Sequence, residues 1–239
     1  MQSRYLLLHG SWHGAWCWFK VAPRLEQYGD VIVPDLPGRA SGLNWALTVT
    51  LGRMVRAVAP VLSASAPTTI VAHSRYGVLA TALAEAFPAA VARVVYLASF
   101  LLADNGRAVD AFAEDKDSFI RPFVRVSRLG GWDALAPEAY VEGLYADCSP
   151  DDVRLASSLL CREPSLPALA RVHTTEARFG RVPKAYVRLA HDRAVSPQLQ
   201  DRMIDAARVE RVETLQASHS AYFSQPDELV AAIRKLEAA

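Results

Sequence analysis

The sequence is short of the features that mark several large classes of protein. Only three of its 239 residues are cysteines, Cys17, Cys148 and Cys161. An odd number at unrelated spacings, with no Cys-x-x-Cys, supports neither a disulfide framework nor a zinc site, and idle thiols are expected. No apolar run approaches the roughly 18 residues that a membrane-spanning helix needs. Neither sign of charge is in excess: 26 Lys plus Arg against 25 Asp plus Glu leave a formal net charge of +1. Without clustered Lys and Arg there is no footprint for nucleic acid or an anionic membrane. Repeats, low-complexity tracts and linkers rich in Pro, Gly and Ser are also lacking, so nothing marks a second domain. The opening stretch MQSRYLLLHGSWHG passes from Arg4 through a very short apolar run into a Gly/His loop. It has no apolar region of signal-peptide length and no small-residue cleavage site. The expectation is a cytosolic protein of one domain, residues 1–239, whose partner is a small molecule, with room for a homodimer.

What the sequence has is rhythm. Hydrophobic residues make up 51% of the chain, arranged up to residue 99 as short aliphatic runs alternating with helical stretches. RYLLLH, a helix over about 19–28, DVIVPD, an amphipathic stretch over about 44–65, TTIVAH, a helix over 76–87 and RVVYLAS follow in turn. Runs of this kind suit strands buried on both faces, and their alternation with helices implies a parallel sheet covered on both sides. The rhythm stops between residues 100 and 183 and resumes with KAYVRLA, a helix opened by Ser196-Pro197, VERVETL and a last helix over 226–235. The expected α/β architecture has a core at 1–100 and 184–239, with a helical cap of about 101–183 inserted between later strands. Inside the cap, Ser149-Pro150-Asp151-Asp152 reads as a helix start, with an N-cap serine, proline at N1 and acids in the first turn.

The segment TTIVAHSRYGVLATALAEAF is a strand, a small polar turn and a helix. This is the setting of a nucleophile elbow, in which the turn pushes a central serine out at the end of the strand. The usual G-x-S-x-G reads here Ala72-His73-Ser74-Arg75-Tyr76, followed by Gly77. A serine hydroxyl needs a base to take its proton, and the base needs a carboxylate to hold its tautomer. Asp192 follows the KAYVRLA strand and His219 follows VERVETL, in the order nucleophile, acid, histidine. Asp104, after RVVYLAS, is the rival acid. Asp147, Asp151 and Asp152 suit capping and solvent-facing roles in the cap.

The run His9-Gly10-Ser11-Trp12-His13-Gly14-Ala15-Trp16 follows the first strand, where backbone amides are able to turn inward. The two oxyanion donors are assigned to the amides of Ser11 and Arg75. His9 and His13 are expected to brace this loop, Trp16 and Trp18 to fill core, and Trp12 to face the pocket. Arg75 carries a permanent charge that must be paired, carried out to solvent or offered to a substrate anion. Tyr76 either packs its ring or presents its hydroxyl to the pocket, and both residues count as substrate-binding candidates.

Taken together, HGSWHGAWCW, the elbow, LYADCSPDDVRLASSLL, RFGRVPKAYVRLAHDRAVSPQLQDRMID and the histidine loop resemble the methylesterase and hydroxynitrile lyase branch of the α/β-hydrolases. The resemblance implies the α/β-hydrolase fold, a Ser74-Asp192-His219 triad, an oxyanion hole at Ser11 and Arg75, and neither metal nor organic cofactor. Lyases of this branch carry threonine after the first loop histidine and lysine after the catalytic histidine, where this chain has Gly10 and Ser220. The expected activity is therefore hydrolysis of a small, largely apolar carboxylic ester, such as a methyl ester, through an acyl-enzyme. The alternatives are a lyase, cyclase or decarboxylase on the same fold, or a binding protein with a disused triad.

Overall fold

The computed structural model describes residues 3–38 and 46–237. Its strands are β1 Ser3–Leu8, β2 Gly29–Ile32, β3 Thr68–His73, β4 Val91–Leu97, β5 Val124–Val126, β6 Trp132–Leu135, β7 Glu163–Pro164, β8 Lys184–Leu189 and β9 Arg211–Leu215. Its α-helices are α1 Ala22–Leu25, α2 Leu51–Val58, α3 Gly77–Ala86, α4 Ala108–Glu114, α5 Pro150–Leu159, α6 Leu166–Leu169, α7 Pro197–Ala206, α8 Ala221–Ser224 and α9 Pro226–Glu237. Six strands form one sheet in the order β2-β1-β3-β4-β8-β9, and every pairing in it is parallel.

Alternation along the strands explains why apolar residues occupy consecutive positions in the runs. Leu6, Leu8, Ile70, Ala72, Val94 and Tyr96 belong to the core on one side of the sheet. Tyr5, Leu7, Val71, Val95, Leu97 and Val187 belong to the core on the other. Both faces are covered, so apolar residues dominate on both parities of the central strands. Each Leu or Val fully removed from water in this way contributes about 1.5–3 kcal/mol.

The strand order reverses direction between β1 and β3: the chain runs outward from β1 to β2, then returns to lay β3 on the other side of β1. In open α/β sheets the crevice at the carboxyl ends of such a pair is where ligands bind. The loop 9–16 leaves β1 there and the turn 74–76 leaves β3 there.

The helix starts read from the sequence are found where expected. Ser149 Oγ accepts the Asp152 amide at 3.2 Å and Ser196 Oγ accepts the Leu199 amide at 3.1 Å, each with proline at the next position. Two expectations are corrected. The helix expected over 19–28 is a 3-10 turn at Ala15–Trp18 and then only α1, because Pro23 fits only a first turn and β2 begins at Gly29. The stretch expected over 44–65 is α2 followed by a 3-10 turn at Ala59–Val61, ended at Pro60, which has no amide to continue the helix. Its first residues, Asn44 included, lie outside the described residues.

The cap lies between β4 and β8, as expected, but it is not helical throughout. Alongside α4, α5 and α6 it carries a small antiparallel sheet, β5-β6-β7, in which Asp133 on β6 is the register partner of Glu163 on β7. The strands are two to four residues long, too short to give a period-2 signal. The turn pair Gly130-Gly131, with Gly130 at φ 65°, is the one local mark of the hairpin.

Gly77 opens α3 against the segment after β4. A Cβ there would lie 2.5 Å from Ser99 Oγ and closer still to the Phe100 carbonyl oxygen. The close approach served elsewhere by the last glycine of the elbow is served here one residue later. Gly77→Ala is expected to lower stability by about 1–3 kcal/mol in urea titration with an unchanged m-value; wild-type stability would refute the close approach.

Candidate active site

Ser74 ends β3 at φ 56°, in the left-handed region that serine seldom adopts. The turn is held by its carbonyl, which accepts the Phe100 amide at 3.0 Å and the Ser99 hydroxyl at 2.6 Å. Ser74 Oγ lies 3.2 Å from His219 Nε2, and His219 Nδ1 lies 2.7 Å from Asp192 Oδ2. The other Asp192 oxygen accepts the amides of Ala194 and Val195 at 2.7 and 2.9 Å, so the carboxylate cannot rotate away. With Nδ1–H donated to Asp192, the Nε2 lone pair of His219 is aimed at the serine proton. All three residues are buried.

The rival acid is elsewhere: Asp104 is exposed and accepts the Thr174 amide at 2.8 Å. Asp152 does cap α5, accepting the Ser149 hydroxyl at 2.7 Å, and also pairs with Lys20 at 2.7 Å. Asp147 is exposed, as expected, and has a role beyond that. It accepts both the amide (2.9 Å) and the hydroxyl of Ser218, the residue before His219, and so anchors the histidine loop to the cap.

Arg75 is the second residue of the 3-10 turn Ser74–Tyr76, and the first amides of such a turn have no acceptor within it. Ser11 lies across from it in the loop after β1, its carbonyl tied to His13 Nδ1 at 2.7 Å. His13 is fixed in turn by the hydroxyls of Tyr145 (2.8 Å) and Tyr222 (3.1 Å). His9 receives the Leu36 amide on Nε2 at 3.2 Å and reaches the Gly10 carbonyl through Nδ1 at 2.9 Å. Both histidines brace the loop. Trp18 is fully buried and Trp16 stacks on Phe223 with centroids 6.2 Å apart.

Ser11, Trp12, Ser74 and Arg75 open onto a cavity of about 580 Å³, a size common for small-molecule sites. Most of its remaining wall is apolar, with Phe100, Phe112, Ile120, Val124, Leu169 and Val195 among the lining side chains. Among the described residues no cluster of His, Cys, Asp and Glu is placed to hold a metal.

This chain matches the alpha/beta hydrolase family over residues 5–232. It belongs to that family. Among its relatives are methylesterase 7 of Arabidopsis thaliana, 29% identical with 98% of this chain and 96% of the relative covered, and salicylic acid-binding protein 2 of Nicotiana tabacum, 28% identical with the same coverage. Five chloroplastic methylesterase relatives are longer, and the chain spans 54% to 70% of their lengths. The crystal structure of polyneuridine aldehyde esterase superposes with a TM-score of 0.87 at 21% identity, covering 100% of both chains.

Arg75 and Tyr76, the departures from the family's elbow, both find partners on the cap. Arg75 donates two parallel hydrogen bonds to Asp133, at 2.9 and 3.1 Å, so its guanidinium is committed to a carboxylate. Burial works against its charge, but Asp133 and Glu163 outweigh that and raise its pKa. Tyr76 is fully buried and its hydroxyl donates to Glu163. Trp12, also at positive φ (64°), donates its amide to Glu163 at 2.6 Å and its indole N–H to Asp133 at 2.8 Å. Asp133 and Glu163 were not legible as site residues. The one signal was Asp133 alone among apolar neighbours in GGWDALA, together with an elbow arginine that needed a carboxylate.

His73, just before the nucleophile, is fully buried; its Nε2–H donates to the His219 carbonyl at 3.0 Å and its Nδ1 has no hydrogen-bond partner. Burial first, then the neighbouring His219 and His13, hold its pKa well below the ordinary value. Below about pH 6.5 the unfolded chain therefore binds a proton that the folded chain refuses. Stability should fall with pH in that window, His73 contributing up to about 1.4 kcal/mol per pH unit, with no effect above it. His73→Gln, which keeps a donor for the His219 carbonyl, should show a shallower loss between pH 7 and pH 5 in urea titrations. Parallel curves for the two proteins would contradict a buried neutral His73.

Proposed function

We propose that this chain is a serine ester hydrolase acting on a small, largely apolar carboxylic ester, such as a methyl ester, through an acyl-enzyme. The observation that carries this reading is the unbroken chain Ser74 Oγ–His219–Asp192, presented by a left-handed backbone at an apolar cavity that Ser11 and Arg75 also line. Its methylesterase relatives support the ester class.

In this reading His219 Nε2 takes the Ser74 proton as Oγ attacks the ester carbonyl. The negative oxygen that forms is received by the Ser11 and Arg75 amides, while Asp192 stabilises the imidazolium. The intermediate collapses as His219 returns the proton to the departing alkoxide, releasing the alcohol and leaving Ser74 acylated. Water enters, gives its proton to His219 and attacks the acyl carbon, and collapse restores Ser74 and frees the acid. The Trp12 amide is already held by Glu163, which supports Ser11 as the donor from this loop.

Two observations speak against cyanohydrin cleavage. A Cβ on Gly10 would lie 2.6 Å from His73 Nδ1 and 3.0 Å from Ser74 Cβ, so a threonine there does not fit without moving β3. Ser220 is fully buried with its hydroxyl 3.0 Å from that of Tyr222, and it offers no cation to a leaving cyanide. The aligned triad speaks against a disused site, and no feature favours a cyclase or decarboxylase. A cytosolic setting belongs to the same reading, supported by the odd number of cysteines at unrelated spacings; among the described residues no helix is long and apolar enough to cross a membrane.

A short-chain p-nitrophenyl ester assay with fluorophosphonate labelling tests the reading. Ser74→Ala and His219→Ala should each lower kcat on the order of 10⁴-fold to 10⁶-fold, with the double variant hardly worse than either. Retention of most of kcat by Ser74→Ala would remove acyl-enzyme chemistry. Asp192→Asn should cost on the order of 10⁴-fold in kcat and Asp104→Asn almost nothing; the reverse ranking would move the acid to the end of β4.

A further inference from the structure

The geometry points to Asp133 and Glu163 of the cap sheet as positioning residues for the oxyanion hole, each tying the loop after β1 to the turn after β3. The inference rests on Ser11 and Arg75 being the oxyanion donors of an ester hydrolase.

The four connections form a closed pattern. Asp133 accepts the indole N–H of Trp12 from the first loop and both guanidinium N–H groups of Arg75 from the second turn. Glu163 accepts the amide of Trp12 from the first loop and the hydroxyl of Tyr76 from the second turn. The two carboxylates are register partners on adjacent cap strands, so their spacing is set by the cap sheet. Trp12 is gripped twice more, because its carbonyl accepts the Cys161 amide at 2.9 Å and the Cys161 thiol at 3.5 Å. A tryptophan at φ 64° is strained and stays so only when its surroundings hold it. Here both ends of the residue are held by cap residues 161–163. The peptide that joins Ser11 to Trp12 is thereby fixed at one side of Ser11, and the preceding peptide, which carries the Ser11 amide, is held through the Gly10 carbonyl by His9 Nδ1 at 2.9 Å, so the Ser11 amide is positioned between the two. On the opposite side Arg75 and Tyr76 are fixed through their side chains, and with them the Arg75 amide.

The arrangement is too costly to be ordinary filler. A buried carboxylate that loses its partners leaves an uncompensated charge. Asp133 and Glu163 are both buried, as are Trp12 and Tyr76. Three charges and two aromatic donors are placed behind the two amides, where an apolar interface would bury the same area at lower risk. What the polar version adds is direction: hydrogen bonds fix angles that apolar contacts leave loose. An oxyanion hole gains from such fixing, since its donors act only if they already point to where charge will develop. The cap would therefore roof the pocket and also set the spacing of the donors beneath it.

The test uses the full chain and compares wild type with Asp133→Asn, Glu163→Gln, Trp12→Phe and Tyr76→Phe. Readouts are kcat and KM on p-nitrophenyl butyrate, the Ki of a trifluoromethyl ketone whose hydrate oxygen occupies the hole, the Ki of the corresponding non-hydrated ketone, and Tm. The carboxylate variants should lose about 10-fold to 100-fold in kcat with KM changed less than about threefold, the pattern of an interaction made only in the transition state. The trifluoromethyl ketone should weaken by the same factor as kcat, and the plain ketone should not weaken. A purely structural role predicts a lower Tm with kcat at the wild-type value well below Tm, and that outcome would overturn the proposal. So would a kcat loss with unchanged trifluoromethyl ketone affinity. If a carboxylate variant fails to fold, Tyr76→Phe and Trp12→Phe decide, since each removes one bridge and keeps both carboxylates. Each should then lose about 3-fold to 10-fold in kcat with a matching loss in trifluoromethyl ketone affinity, and wild-type values in both would overturn the proposal. Failure of the underlying reading looks different: wild type itself would neither turn over the ester nor take the phosphonate at Ser74, and both inferences would fall together.

Discussion

A serine held in the left-handed backbone region at the carboxyl end of β3 is the constraint around which the rest is arranged. That conformation is disfavoured for a residue with a Cβ, on the order of 1–2 kcal/mol, and it persists because its neighbours allow no other. Its carbonyl is taken by Ser99 and Phe100 of the segment after β4. The helix that follows can start at once only because Gly77 has no side chain to meet Ser99 and Phe100. The result lifts Ser74 Oγ out of the sheet toward His219. The sheet supplies the place: the reversal of strand order between β1 and β3 opens a crevice at their ends, and the histidine and acid arrive from β9 and β8 on one side.

The elbow departs from the family at Arg75 and Tyr76, and the cap of this chain holds a partner for each of them. An arginine after the nucleophile would be a buried, unmatched charge without Asp133, and a tyrosine next to it would bury a hydroxyl without Glu163. Each residue makes sense only with its partner on the other layer. The same two carboxylates also hold Trp12, so changes that look local in the sequence amount to one connection between core and cap. That connection joins the cap wall of the cavity to the turn that carries Ser74.

Much of the fold was readable because it depends on local patterns. Runs such as TTIVAH and KAYVRLA carry apolar residues at consecutive positions, as strands covered on both faces require, and all six sheet strands lie where such runs occur. The serine-proline starts at Ser149 and Ser196 were readable because capping is a contact over three residues. The small cap sheet was not readable, since β5, β6 and β7 are too short to impose a pattern. Nor was the anchoring of the histidine loop by Asp147, which depends on how the cap sits over β9.

At the site itself, residue types and their order along the chain were enough to single out Ser74, Asp192 and His219, because each must follow a strand and strands show in local hydropathy. The inward loop of Ser11 could be read from its glycines for the same reason. Arg75 announced only that a carboxylate had to exist somewhere. Which one it was came from packing: Asp133 is 58 residues from Arg75 and 121 from Trp12, and Glu163 is 87 from Tyr76 and 151 from Trp12. Over such separations the local energies that shape strands, turns and caps carry no information about partners. The pairs form because the cap sheet docks at one register over the crevice, and buried charges accept only the register in which each one is matched.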